Sequence, residues 1–170
     1  PGVRRYATGI EIQGAWNGDT VSNGLLKLPD GPEYAGPLFR DRNSRVSPML
    51  VDWVEHAARS GSAYASLLAG TFRLDYAEPA SDPSRALEWL RAAADANVAE
   101  AALRIFGVGV NGVGVDGVGA RVSPVTDVPG DNRTGRAWLE RAAGLGHAGA
   151  HRVLGDLLSP GCNAPADADP

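Results

Sequence analysis

The sequence predicts a mainly α chain: an α-solenoid of short antiparallel helix pairs, preceded by a short antiparallel β-meander. Three observations predict it. Trp53, Trp89 and Trp138 each open the same pattern of alanines and a turn residue. Capping residues and prolines mark helix starts ahead of these tryptophans. The residues before them lack the pattern and carry turn signals at strand spacing.

Superposing the tryptophans aligns three stretches, Trp53 to Gly70, Trp89 to Phe106 and Trp138 to Gly155. Alanine falls four and five residues after each: Ala57 and Ala58, Ala93 and Ala94, Ala142 and Ala143. Those offsets share a helical face with the tryptophan. Gly61, Asn97 and Gly146 follow at eight, where a left-handed cap ends a helix. Ala63 and Ala65, Ala99 and Ala101, Ala148 and Ala150 then begin a second helix with small side chains that allow close packing. Ser47-Pro48 and Asp82-Pro83 each place a capping residue before a proline at the first helical position. Asp131 holds the matching place before Trp138. One helix pair cannot bury its apolar face, but stacked pairs can.

The spacing is uneven: 36 residues separate the first two tryptophans and 49 the second two. The 13 extra residues fall within 107–130, a Gly/Val-rich insertion. Its composition predicts an expanded loop, whose Val/Gly alternation could form a small hairpin, and no good helix. From Arg4 to about Phe39 the chain is polar, aromatic and glycine-rich, with turn signals at Asn17-Gly18 and Asp30-Gly31. Residues 9–16 match residues 31–38 at an offset of 22. The expected division is therefore a β-hairpin unit at 1–41 and a helical solenoid at 42–158. The stretch Arg40 to Val46 is expected to be a linker and 159–170 a disordered tail.

The helical repeats resemble the Sel-1-like repeat family, relatives of the tetratricopeptide repeats, over about residues 47–158. The residues that carry this are Asp131, Arg136-Ala137, Trp138, Ala142-Ala143, Gly146-His147-Ala148, Ala150 and Leu154-Gly155, with Asp82, Arg85-Ala86 and Trp89 in the preceding copy. That copy departs from the pattern at Ile105-Phe106. Residues 4–39 resemble MORN repeats through Gly14, Trp16, Gly24, Asp30, Gly31, Tyr34 and Gly36, with Ile12 and Leu38 where aromatics are expected. The resemblance implies an adaptor or scaffold. It also implies a chain that opens inside a repeat, as a fragment of a larger protein would.

Composition narrows the function. Apolar residues make up 44% and charged residues 21%, ordinary for a folded chain. A net charge of -4 argues against nucleic acid as the main partner, since phosphate binding needs clustered cations. No apolar run is long enough for a transmembrane segment. Cys162 stands alone in the tail and cannot close an internal disulfide.

Chemical motifs are weak. Gly107 to Gly112 spells GxGxxG, but a dinucleotide site needs that motif between a strand and a helix, and here it follows a helix. Asp116 is a single acid in its Gly/Val stretch, too few oxygens for calcium. His147 and His151 are four apart, as zinc pairs are, yet His56 belongs to another repeat and no third ligand is evident. Asp82 and Asp131 read as helix caps, and the tryptophans as core. No catalytic, cofactor-binding or metal residues are therefore assigned.

The expected function is a non-catalytic protein–protein interaction module. Its protein or peptide partner would lie on a concave face lined by the alanine-rich helices, with the tryptophan helices outside. The alternative is a regulatory or targeting segment of a larger enzyme.

Overall fold

Four strands open the chain: β1 (Gly2–Arg5), β2 (Glu11–Asn17), β3 (Thr20–Lys27) and β4 (Glu33–Pro37). They form one antiparallel sheet in the order β1-β2-β3-β4. Six helices follow among the described residues: α1 (Pro48–Arg59), α2 (Ala63–Asp75), α3 (Pro83–Asp95), α4 (Ala99–Asn111), α5 (Gly135–Gly144) and α6 (Ala148–Leu158). The computed structural model describes residues 2–18, 20–39, 46–75, 83–111 and 135–158.

The architecture corrects the expected fold class. The protein is a mixed α/β chain, a four-stranded antiparallel sheet followed by helices, not a mainly α solenoid. The physical reason lies in the core. Ile12, Leu26, Tyr34 and Leu38 of the sheet region are buried in one cluster with Leu50, Val54, Ala57 and Ala65 of α1 and α2. The sheet is half of that core. A repeated local turn fixes the path of the chain at each corner, but it does not dictate a superhelix. The concave face expected to take a partner was inferred from that solenoid reading.

The chain divides into two units, Pro1–Val98 and Ala99–Pro170. In the first, α1 packs on α2, α2 on α3, and α1 also meets β4. In the second, α5 packs on both α4 and α6.

Sheet register separates two faces. Arg4, Ile12, Leu26 and Tyr34 form one row across the strands, on the buried face. Next to it runs a row of glycines, Gly2, Gly14, Gly24 and Gly36. These glycines make room for large neighbours. A Cβ on Gly24 would lie 3.1 Å from Leu38 Cδ1, and one on Gly36 would lie 2.8 Å from Tyr34 Oη. On the opposite face Arg5, Glu11, Lys27 and Glu33 form a row of alternating charge. Arg5 bridges Glu11 at 2.5 Å and Lys27 bridges Glu33 at 2.9 Å. Glu33 holds the Lys27 ammonium above its usual range, first through their hydrogen bond.

The helix corners repeat closely. Gly61, Asn97 and Gly146 have φ of +100°, +67° and +85°. At each corner that residue donates its N–H to the second alanine of the pair, Ala58, Ala94 or Ala143. The next residue donates to the first alanine, Ala57, Ala93 or Ala142. This is the double-bonded helix stop known as the Schellman motif.

Other details differ from expectation. Residues 107–111 continue α4 rather than opening a loop. Their alternating valines sit in a helix already started by Ala99 to Phe106, whose good formers offset the glycine cost. Pro48 does occupy the first turn of α1, but Ser47 makes no side-chain cap. Ser47 is 3% exposed, its N–H given to the Leu38 carbonyl at 2.9 Å. Asp82, Asp131, Cys162, the remainder of the 107–130 insertion, most of the expected linker and the 159–170 tail lie outside the described residues.

Candidate functional site

The turn between β3 and β4 meets the corner between α1 and α2. Gly31, at φ +112°, closes that turn, with its N–H bonded to the Leu28 carbonyl at 3.1 Å. This aims Asp30 at the start of α2. Asp30 Oδ2 accepts the Ser62 hydroxyl at 2.8 Å and the Tyr64 N–H at 3.3 Å. Ser62 Oγ in turn accepts the Ala65 N–H at 3.0 Å. Ser62 thus caps α2, and the Asp30 carboxylate sits at the positive end of that helix.

An open recess of about 470 Å³ lies at this junction. Asp30, Pro32 and Glu33 form one wall, and Trp53, His56 and Ser62 belong to the other. Trp53 also leans on Tyr34, their rings 5.4 Å apart and tilted by 50°. Burial raises the Tyr34 phenol above its ordinary value, and its hydroxyl donates to the Pro37 carbonyl at 3.1 Å. The recess offers an aromatic edge, two carboxylates and an exposed histidine. Asp30 is engaged in capping and Glu33 in its Lys27 bridge, so the arrangement suits contact with a polar chain.

The matching corner of the second unit uses His147 where the first uses Ser62. His147 Nδ1 accepts the Ala150 N–H at 3.3 Å, capping α6. Its Nε2 lies 2.7 Å from Glu100 Oε2 on α4. An acceptor at Nδ1 leaves the proton on Nε2, which donates to the carboxylate. Glu100 also holds Arg104 at 3.3 Å. The geometry makes His147 a clip between α6 and α4. His151 is exposed one turn further on. Among the described residues no group of three or more His, Cys, Asp or Glu side chains is placed to hold a metal.

No family model, curated protein or solved structure matches this chain. The site therefore rests on its geometry alone.

Trp138 is the tryptophan that the structure buries, at 1% exposed, while Trp53 and Trp89 are half-buried against the first core. Sequence reasoning placed His147 at its helix junction but missed Glu100, 47 residues away, because no local signal links them. It read Asp30 as a turn residue and as part of the MORN-like pattern, not as a helix cap. No local signal links it to Ser62, 32 residues later. Glu55 was missed too; it joins α1 to α2 by binding both Arg59 and Arg73. No helix among the described residues is long and apolar enough to cross a membrane.

Proposed function

We propose that this chain is a non-catalytic interaction module that binds a protein or peptide partner through its helix corners. On this reading the helical repeats are Sel-1-like and the N-terminal strands MORN-like. The observation that carries it is the constant frame with a changing occupant. Three corners share the same two backbone bonds, while the residue after the left-handed turn is Ser62, Val98 and then His147. Ser62 and His147 are engaged in capping and Val98 is buried. The repeated frame therefore supports recognition by positioning exposed side chains near a corner, as His56 is beside Ser62, rather than through the corner residues themselves. The open recess beside Ser62 gives the first corner a surface on which a polar chain can lie.

Photo-crosslinking tests this. A photoreactive residue at His56, on the recess rim, is expected to capture a discrete protein partner in the native proteome. The same probe at Arg152, exposed on α6, reports whether the second unit engages it too. Absence of any specific adduct from either position would overturn the reading.

A further inference from the structure

β4 begins just after the turn that carries Asp30. The direction of its backbone groups follows from the ladder with β3. Leu28 N–H donates to the Pro32 carbonyl at 2.9 Å, and Leu38 N–H donates to the Ser22 carbonyl at 2.8 Å, so these two pairs are hydrogen-bonded. Between them the register runs through Lys27 and Glu33, Leu26 and Tyr34, and Leu25 and Ala35. Bonded and non-bonded pairs alternate in an antiparallel ladder. Tyr34 therefore turns its N–H and C=O toward β3, and Glu33 and Ala35 turn theirs away. Among the described residues no strand meets them there; the bridge of Phe39 to Val46 lies past the far end of β4.

The recess lies off this edge. Glu33 projects from the charged face of the sheet, while Trp53 leans on Tyr34 of the buried face. Both line the same recess, and a space bordered from the two faces of a sheet lies past its margin. Its charge is one-sided. Asp30 and Glu33 line it, and among the described residues no lysine or arginine does. Asp30 engages only Oδ2, in capping α2, and Glu33 only Oε1, in its bridge to Lys27. Each carboxylate keeps a second oxygen without a partner among the described residues. The Trp53 ring adds an aromatic face, which attracts cations. Glu33 also ends the row of alternating charge at β4, with Lys27 on its inner side. Opposite charges directly across a strand pair stabilise it, so a cation belongs on the outer side.

We propose that the partner lays an extended segment along the β4 edge and sets a basic side chain in the recess, against Glu33, Asp30 and Trp53. This rests on the reading of the chain as an interaction module, and it names the chemistry that the first corner selects. Backbone bonds to Glu33 and Ala35 hold the segment, and the basic side chain decides which segment is held.

The test uses the full chain and threonine-based heptapeptides whose central residue is lysine, norleucine or glutamate. Norleucine keeps the lysine stem and removes its ammonium. Binding is read by calorimetry. Its place is read by NMR, from the Trp53 indole signal and from hydrogen exchange of the Glu33 and Ala35 amides. The lysine peptide is expected to bind best, to shift the Trp53 signal and to protect both amides. The norleucine peptide should bind roughly tenfold more weakly, about 1.4 kcal/mol. Glu33→Gln should narrow that gap, and so should Asp30→Asn, which keeps a capping oxygen. Lys27→Gln should widen it, because Lys27 competes for Glu33. Equal binding of the lysine and norleucine peptides, preference for glutamate, changes away from Trp53 and β4, or a gap indifferent to all three variants would each overturn the proposal. No binding by the lysine peptide would overturn it as well. An adduct from His56 alongside that failure would leave the interaction module standing; lysine-peptide binding without any adduct would leave the recess site and sink the module.

Discussion

Trp53 and Trp138 hold the same position in the same helix–turn–helix pattern and do different work. In the first unit the sheet supplies apolar area, and the core closes over Leu26, Leu38 and Val54. Trp53 is left at its margin, leaning on Tyr34 beside the recess. In the second unit Trp138 is itself buried, as are Ala101, Ile105, Leu139, Ala142 and Ala150. The ring is the largest of the fully buried side chains. One sequence column therefore has two energetic meanings, and the presence of a sheet decides which.

The sharpest way to break this comparison is truncation. Trp138→Ala should cost about 3–5 kcal/mol, the usual range for a core aromatic. Trp53→Ala should cost about 1–2 kcal/mol, because a half-buried ring removes less area from water. Urea unfolding, with amide exchange followed separately in α1 and α5, reads both. Equal losses would mean that burial does not distinguish the two positions.

A second test concerns close approach in the first unit. Gly70 lies where α2 meets α3, and a Cβ there would sit 2.6 Å from Leu90 Cγ and 2.9 Å from the Ala86 carbonyl oxygen. Gly70→Ala should therefore cost about 1–3 kcal/mol through overpacking, despite its better helix propensity. Gly155 on α6 meets nothing within 4 Å. Gly155→Ala should instead stabilise by up to about 1 kcal/mol. Thermal unfolding of both variants checks the opposite signs.

These contrasts show what the sequence could convey. The left-handed residues at Gly61, Asn97 and Gly146 were legible, because a positive φ at a helix stop restricts residue type and repeats at a fixed offset. The antiparallel N-terminal strands were legible from turn dipeptides and the internal match of residues 9–16 with 31–38. The shared core was not. Leu26 and Val54 are joined by packing across the chain, and no periodicity within either segment announces it. The capping of α2 by Asp30, 32 residues before Ser62, was hidden for the same reason. The start of the insertion was misread because the composition of residues 107–111 opposes helix, while the helix begun at Ala99 carries through them.

The corners give a smaller effect. Ser62→Ala removes the α2 cap and should cost about 1 kcal/mol. Exchange of the Ala65 amide should accelerate while α3 is unaffected. Unchanged exchange would show that Asp30 alone sustains the helix start.

The smallest effect lies at alkaline pH, and it separates a buried group from an exposed one. Tyr34 and Lys27 are both raised, Tyr34 from 10.0 by burial and Lys27 from 10.5 by Glu33. In each case the folded state holds the proton more tightly than the unfolded state. Each contribution is complete below its ordinary value and is lost as pH climbs through the raised one. The causes differ, and so must the response to salt. An ion pair in water is screened at high ionic strength, whereas desolvation of a phenol is not. Stability measured by urea unfolding should fall above pH 10, more gently in Tyr34→Phe than in the parent. Adding about 1 M sodium chloride should shrink the Lys27→Gln difference and leave the Tyr34→Phe difference in place. If salt erased the Tyr34→Phe difference instead, burial would not be what raises that phenol, and the ring beside Trp53 would belong to the surface rather than to the core.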